Sequence, residues 1–167
     1  ISSLSAIAGG IGTWKSYLSY ANIQWVEQGG NRLYVLASDA LYTYNKADQS
    51  IQTYDKQNGL SSIDIRFIGW NEVAKRLVIV YEDNNIDLMD AKGNVTNVPD
   101  YYLKALTSDK TVYSIDMNGA YCYLSTGFGL VKLNVAKAEI SDSYNLSFPV
   151  NYRSEERRVG KECASMC

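Results

Sequence analysis

A pattern that recurs about every 44 residues constrains the fold of this chain more than any other feature of its sequence. Three segments align: NRLYVLASDALYTYNKADQSIQTYD from Asn31, KRLVIVYEDNNIDLMDAKGNVTNVP from Lys75, and GAYCYLSTGFGLVKLNVAKAEISDS from Gly119. Three sets of apolar positions keep a spacing of 44 or 45 residues: Leu33, Leu77 and Tyr121; Leu41, Ile86 and Leu130; Ile51, Val95 and Ile140. Self-similarity at this period predicts a repeat architecture in which each unit packs against its neighbours.

Within each unit the apolar residues follow a period of two, which is the period of a β-strand. The stretches LYTYN and IQTYD alternate or nearly so, and RLVIVY is a continuous run suited to a strand that is buried on both faces. Turn-forming residues such as Asn84-Asn85 and Lys92-Gly93-Asn94 separate these stretches. A further short strand is predicted before each unit, in NIQWVEQ, IDIRFIGW and TVYSIDM. The chain is therefore predicted to be all-β, with four short antiparallel strands per unit.

Four strands in about 40–50 residues, repeated along a chain, are typical of the blades of a β-propeller. A β-sandwich is the alternative, but it would not repeat its internal spacing so closely. Residues 12–18 have the pattern of a fourth strand that lacks its own blade, and the N-terminal strand of a closed propeller commonly completes the last blade. We therefore expect a partial β-propeller: about three four-stranded blades plus an orphan N-terminal closing strand of a seven-bladed ring.

The two ends of the sequence differ from the repeats. Residues 1–8 resemble the remnant of a secretory signal peptide, because Ala6-Ile7-Ala8 matches an A-x-A cleavage pattern. From Arg153 the stretch RSEERRVGKEC is densely charged, lacks an apolar period and resembles a frame translation of a common short-read sequencing adaptor. We expect the N-terminal part of a propeller over residues 9–152, and a disordered adaptor artefact over residues 153–167.

The composition limits the chemistry that the chain can carry. The sequence has no histidine, which excludes a Cys–His nucleophile and a Ser–His–Asp triad. Cys122 is the one cysteine before residue 153, so we expect a small apolar residue packed in a strand and not a disulfide or a thiolate metal site. A net charge of -2 gives no electrostatic argument for nucleic-acid binding. No window approaches the roughly 20 apolar residues of a membrane-spanning helix.

Other candidate sites are weak. Asp83-Asn84-Asn85-Ile86-Asp87 has the alternate spacing of a calcium loop, but it lacks that motif's glycine and closing glutamate, so we expect a strand turn. Carboxylate pairs for glycoside hydrolysis stay open, because their separation is spatial. The 14 tyrosines and three tryptophans could supply a sugar-stacking surface, although at period two most are expected to pack between blades. We therefore predict no catalytic residue, no metal site and no cofactor, leave the binding residues unknown, and do not expect an enzyme.

Two stretches resemble a known propeller repeat. NGLSSIDI, from Asn58, followed by RLVIVYEDNNIDLMD is similar to the two-component-regulator-type propeller repeat of Bacteroidetes, in which an N-G-L-S-S turn leads into a first strand. The middle unit departs from that repeat at residues 81–85, where a glycine is usual. The stretches GTWKSYLSY, LVIVYEDNNIDLMD and YLSTGFGLVKLN more closely resemble the start of the PorZ-type proteins of the type IX secretion system.

The PorZ-type resemblance implies an exported protein at the outer-membrane surface or in the periplasm. Such a protein would be a non-catalytic member of the complex that attaches secreted proteins to lipopolysaccharide. Its implied partners are other secretion-complex proteins or anionic lipopolysaccharide, with neither nucleic acid nor a membrane span. The alternative is the periplasmic, glycan-sensing propeller of a hybrid two-component regulator. The resemblance supplies no functional residues that can be assigned to positions in this sequence.

Overall fold

A computed structural model describes residues 22–38, 40–104 and 109–145 of the chain. These residues form antiparallel strands and a single helical turn, so the all-β prediction is confirmed. The elements of the described ranges are β1 Ile23–Gly29, β2 Arg32–Ala37, β3 Ala40–Asn45, β4 Ile51–Tyr54, β5 Ile65–Asn71, β6 Arg76–Tyr81, β7 Ile86–Asp90, β8 Val95–Asn97, α1 Asp100–Leu103, β9 Val112–Asn118, β10 Tyr121–Thr126, β11 Gly129–Asn134 and β12 Glu139–Asn145.

The strands form three sheets of four, and in each sheet neighbouring strands follow one another along the chain. The sheets are β1–β4, β5–β8 and β9–β12, called blades 1, 2 and 3 below. The first strands lie together, β1 against β5 and β5 against β9, as strands do around the axis of a propeller. The predicted partial β-propeller with three four-stranded blades is confirmed. The number of blades in the ring stays a prediction, and the closing strand at 12–18, the signal remnant and the C-terminal artefact fall outside the described residues.

The hydrophobic core lies in two layers, one on each side of blade 2. From β6, Leu77, Ile79 and Tyr81 pack into the cluster shared with blade 1, whereas Val78 and Val80 pack into the cluster shared with blade 3. All five side chains are fully buried. Each such burial stabilises the fold by about 1.5–3 kcal/mol relative to exposure. The prediction that RLVIVY is buried on both faces is therefore confirmed.

The strand register corrects the sequence alignment by one residue in blade 3. Tyr121 opens β10 and pairs with the last residue of β11, as Arg76 does with the last residue of β7 in blade 2. Cys122 is thus the structural counterpart of Leu77, and the alignment of Tyr121 with Leu77 was wrong. The turn between β6 and β7 has one residue more than the turn between β10 and β11, since Val80 pairs with Ile86 and Ser125 with Leu130. A shift of one residue exchanges the two faces of a strand.

Cys122 fills the position that leucine fills in blade 2, and its side chain is fully buried between blades 2 and 3. Burial raises the pKa of the thiol to about 12. Since the thiolate is the reactive form, we expect alkylation of Cys122 at pH 8 to be at least about a thousandfold slower in the native protein than after unfolding. Iodoacetamide labelling followed by peptide mass spectrometry checks this, and equal labelling in both states would contradict the buried position.

The NGLSS motif links blade 1 to blade 2. The Asp55 carboxylate accepts hydrogen bonds from the backbone N–H groups of Gln57 and Asn58, while Asn58 Oδ1 accepts one from the Asp55 N–H at 2.6 Å. Gly59 has φ +130, a conformation that favours glycine. The turn places Leu60 in the core between the two blades. The motif is therefore a joint that fixes the position of one blade on the next.

Candidate functional site

The acidic stretch that follows β6 is a turn, as the sequence predicts. Asp83 accepts a hydrogen bond from the Asn85 N–H at 2.9 Å and another from the Ser62 hydroxyl at 2.5 Å. Asn84 has φ +67, which asparagine tolerates in turns. Within the described ranges, no three histidine, cysteine, aspartate or glutamate side chains come together as metal ligands.

Asp87 is the centre of a buried polar network and not part of an accessible site. It is fully buried and accepts hydrogen bonds from the Tyr81 hydroxyl at 2.6 Å, the Ser61 N–H at 2.8 Å and Asn97 Nδ2 at 2.8 Å. Burial and the bond to the Asp87 carboxylate hold the pKa of Tyr81 far above its usual value. Since no ligand can reach a fully buried carboxylate, this network stabilises the joint between the blades.

Accessible functional groups gather instead on the first strands of the blades. Each first strand carries a β-bulge at the same position, with Gln24, Arg66 and Tyr113 as the additional residues. Bulges redirect side chains and are frequent next to functional sites. These bulges were not predicted from the sequence. We call the surface formed by the exposed residues of β1, β5 and β9 the axial surface.

One end of the axial surface combines aromatic rings with an ion pair. Trp25 is 42% exposed, and its ring meets the edge of Phe67 with centroids 6.3 Å apart. Arg66 lies 5.6 Å from the Phe67 ring centroid and binds the Glu82 carboxylate at 2.8 Å. Tyr113 is 56% exposed. These groups are fixed in place and remain open to a ligand.

Asp109 fixes the orientation of Tyr113. The Tyr113 hydroxyl donates to Asp109 at 2.8 Å, and this hydrogen bond to a carboxylate raises the pKa of the tyrosine. For the acceptor the effect is opposite: hydrogen bonds from Thr111 and Tyr113 lower the pKa of Asp109. The carboxylate is thus a stable negative charge that positions an aromatic ring.

A small cavity opens in the axial surface where the three first strands meet. Its volume is about 280 Å³. The lining residues are Trp25, Glu27, Ile68, Gly69, Trp70, Ile115, Asp116 and Met117. We call it the axial cavity.

The positions of the aromatic residues partly follow the prediction from period two. Tyr34, Tyr81 and Tyr101 are fully buried, as expected for rings between blades. Trp25 and Tyr113, on the first strands of blades 1 and 3, are exposed on the axial surface.

Comparison with known proteins identifies the family. The sequence profile described as "TSS9, PorZ, N-terminal beta-propeller domain" matches residues 33–162. The chain belongs to the PorZ N-terminal β-propeller family. The matched range extends past residue 152, so the predicted boundary between propeller and artefact stays a prediction.

PorZ of Porphyromonas gingivalis, an essential bacterial surface component of the type IX secretion system, has a similar solved structure. It is 32% identical, with a TM-score of 0.72 over 78% of this chain and 18% of the PorZ chain. The chain thus spans less than a fifth of the length of the PorZ structure. No curated protein sequence matches the chain.

More distant structures share the propeller fold alone. The extracellular domain of the putative one component system BT4673 from B. thetaiotaomicron is 16% identical, with a TM-score of 0.58 over 74% of this chain and 17% of that one. AztD from Citrobacter koseri is 15% identical, with a TM-score of 0.57 over 77% of this chain and 34% of that one. In the described part of this PorZ-family chain, no helix has the length and apolar character needed to cross a membrane.

Proposed function

We propose that the chain is part of an exported, non-catalytic propeller at the bacterial surface, which binds protein partners of a type IX secretion complex and anionic lipopolysaccharide. Membership of the PorZ family is the observation that carries this proposal. The lipopolysaccharide part follows from the resemblance to PorZ-type proteins, in which the propeller protein serves the attachment of secreted proteins.

The axial surface supports binding as the role of the propeller. Arg66 and Asp109 are already held by Glu82 and Tyr113, so they present fixed charges to a partner. A carboxyl group that acts as a general acid needs a pKa above its usual value. Hydrogen bonds lower the pKa of Asp109, so this carboxyl group does not suit that role. Exposed aromatic rings with fixed charges beside them are typical of the centres of protein interfaces.

Deleting the gene for the full-length protein in its own bacterium tests this function. We expect a set of exported proteins to be lost from the cell surface, and reintroduction of the intact gene to restore them. Quantitative mass spectrometry of surface and culture-medium proteins provides the measurement. An unchanged surface proteome, together with a lost transcriptional response to glycans, would contradict the proposal and support the sensor alternative.

A further inference from the structure

We propose that the axial cavity binds a cationic side chain, lysine or arginine, of a protein partner. The inference rests on the proposed function in one respect, namely that the partner is a protein. The chemistry of the cavity follows from its lining residues, which include two tryptophans, two acidic residues and three large apolar residues.

The charges of the cavity favour a cation. Glu27 and Asp116 line it, and no lysine or arginine does so among the described residues. The Glu27 carboxylate accepts a hydrogen bond from the neutral Trp25 indole N–H at 2.9 Å, which leaves its charge uncompensated. Asp116 forms no ion pair with any described residue. Two negative charges beside one small cavity attract a positively charged group.

The Trp25 indole ring, which is 42% exposed, adds a second attraction for the same charge, whereas the Trp70 ring is packed on Tyr34 and only 9% exposed. Each indole N–H donates to a carboxylate, that of Trp25 to Glu27 and that of Trp70 to Glu72 at 2.7 Å. Tryptophan is the ring that binds cations most strongly through its face. A hydrogen bond from the N–H to a carboxylate polarises the ring and makes its face more negative.

The same hydrogen bonds disfavour a sugar as the occupant. A sugar hydroxyl can both donate and accept hydrogen bonds, so side chains that only accept use half of its capacity. Here both indole donors are already occupied, and the remaining polar side chains of the wall are carboxylates, which accept only. A cationic side chain only donates hydrogen bonds, and it therefore suits a cavity whose free polar side chains only accept them.

The apolar walls and the size of the cavity favour a side chain. The half-buried Ile115 and Met117 can cover the methylene stem of a lysine or arginine while its charged end reaches the Glu27 carboxylate. A volume of about 280 Å³ lies below the range of most sites for drug-sized ligands. A calcium ion requires six or more oxygen ligands, and the described wall supplies two carboxylates.

Titration of the purified full-length protein with short peptides tests the proposal. The probes are acetylated and amidated tripeptides with a central lysine or arginine, and their neutral counterparts with acetyl-lysine or citrulline. We expect at least one cationic peptide to bind at about millimolar concentration in ligand-detected NMR, and the neutral peptides to bind at least about tenfold more weakly. The binding of the cationic peptide should weaken with added salt.

Two isosteric variants assign that binding to the axial cavity. Glu27→Gln keeps an acceptor for the Trp25 N–H, and Asp116→Asn keeps the shape of the side chain, so both should fold. The double variant is expected to weaken binding of the cationic peptide about tenfold. Glu139→Gln, which neutralises an exposed carboxylate on β12, is the matched control and should leave binding unchanged.

The proposal would be overturned if cationic and neutral peptides bound equally, or if the double variant did not weaken binding. An equal loss in the Glu139→Gln control would also overturn it. So would binding of free pentylammonium, used as a further probe, without binding of either cationic peptide. These results are independent of secretion, because the peptides are titrated into the isolated protein. Peptide binding by a protein whose deletion leaves the surface proteome unchanged would refute the proposed function and leave the cavity assignment intact.

Discussion

Replacing Asp87 by alanine is expected to lower the free energy of unfolding by about 3–5 kcal/mol. Asp87 is fully buried and accepts hydrogen bonds from a hydroxyl, an amide and a backbone N–H, which belong to Tyr81, Asn97 and Ser61. The substitution leaves the Tyr81 hydroxyl and the Ser61 N–H without this acceptor, whereas Asn97 keeps its bonds to Asn85 and to the Ile86 carbonyl. Each buried unsatisfied group costs about 1–3 kcal/mol. Urea unfolding of the purified protein, followed by tryptophan fluorescence, measures the loss.

Two further variants show whether the network is the cause. Tyr81→Phe removes one of the three hydrogen bonds and should cost about 1–2 kcal/mol, less than Asp87→Ala. Asp142→Ala removes an exposed carboxylate on β12 whose hydrogen bonds are local, and it should change stability by less than about 0.5 kcal/mol. If Asp87→Ala were no more damaging than Asp142→Ala, the network would not hold the joint between the blades.

Asp87 also shows where sequence reasoning reached its limit. The stretch Asp83 to Asp87 was correctly predicted to be a strand turn from its missing glycine and glutamate. The partners of Asp87 could not be predicted, because Ser61 and Asn97 come from a loop and a strand on opposite sides of it in the sequence. Hydrogen bonds between distant segments follow from the packing of blades, which a local pattern does not encode.

The fold itself was predictable because the blade is a repeated unit. The spacing of Leu41, Ile86 and Leu130 is confirmed by the structure, in which each pairs at the same place in its sheet. The error at Tyr121 arose because the turn between β6 and β7 has one residue more than the turn between β10 and β11, and turn length sets the strand register.

The axial surface was missed for a different reason. Trp25 and Tyr113 look like any other aromatic residues at period two, and nothing in their spacing separates a ring between blades from a ring at the axis. What distinguishes them is the position of their strands, which come first in their blades and lie together around the axis. Knowledge of the blade order is therefore needed before exposed aromatic residues on first strands can be selected as candidate site residues.

A methyl group at Gly29 is expected to disturb a close contact between blades 1 and 2. A Cβ atom there would lie 2.5 Å from Trp70 Cδ2 and 2.6 Å from Cε2. The ring has little room to withdraw, because it stacks on Tyr34 with centroids 5.3 Å apart and its N–H is bonded to Glu72 at 2.7 Å. Overpacking of this kind typically costs about 1–3 kcal/mol, and we expect Gly29→Ala to fall at the upper end of that range.

Gly69→Ala is the matched comparison at the interface between blades 2 and 3. There a Cβ atom would lie 2.7 Å from Met117 Cε, the end of a flexible side chain that can move aside at a cost of less than about 1 kcal/mol. Urea unfolding midpoints of the two variants measure the difference. Because Trp70 also lines the axial cavity, Gly29→Ala should weaken binding of the cationic peptide as well. Equal destabilisation by the two alanines would show that the rigidity of Trp70 does not decide how closely blades 1 and 2 approach.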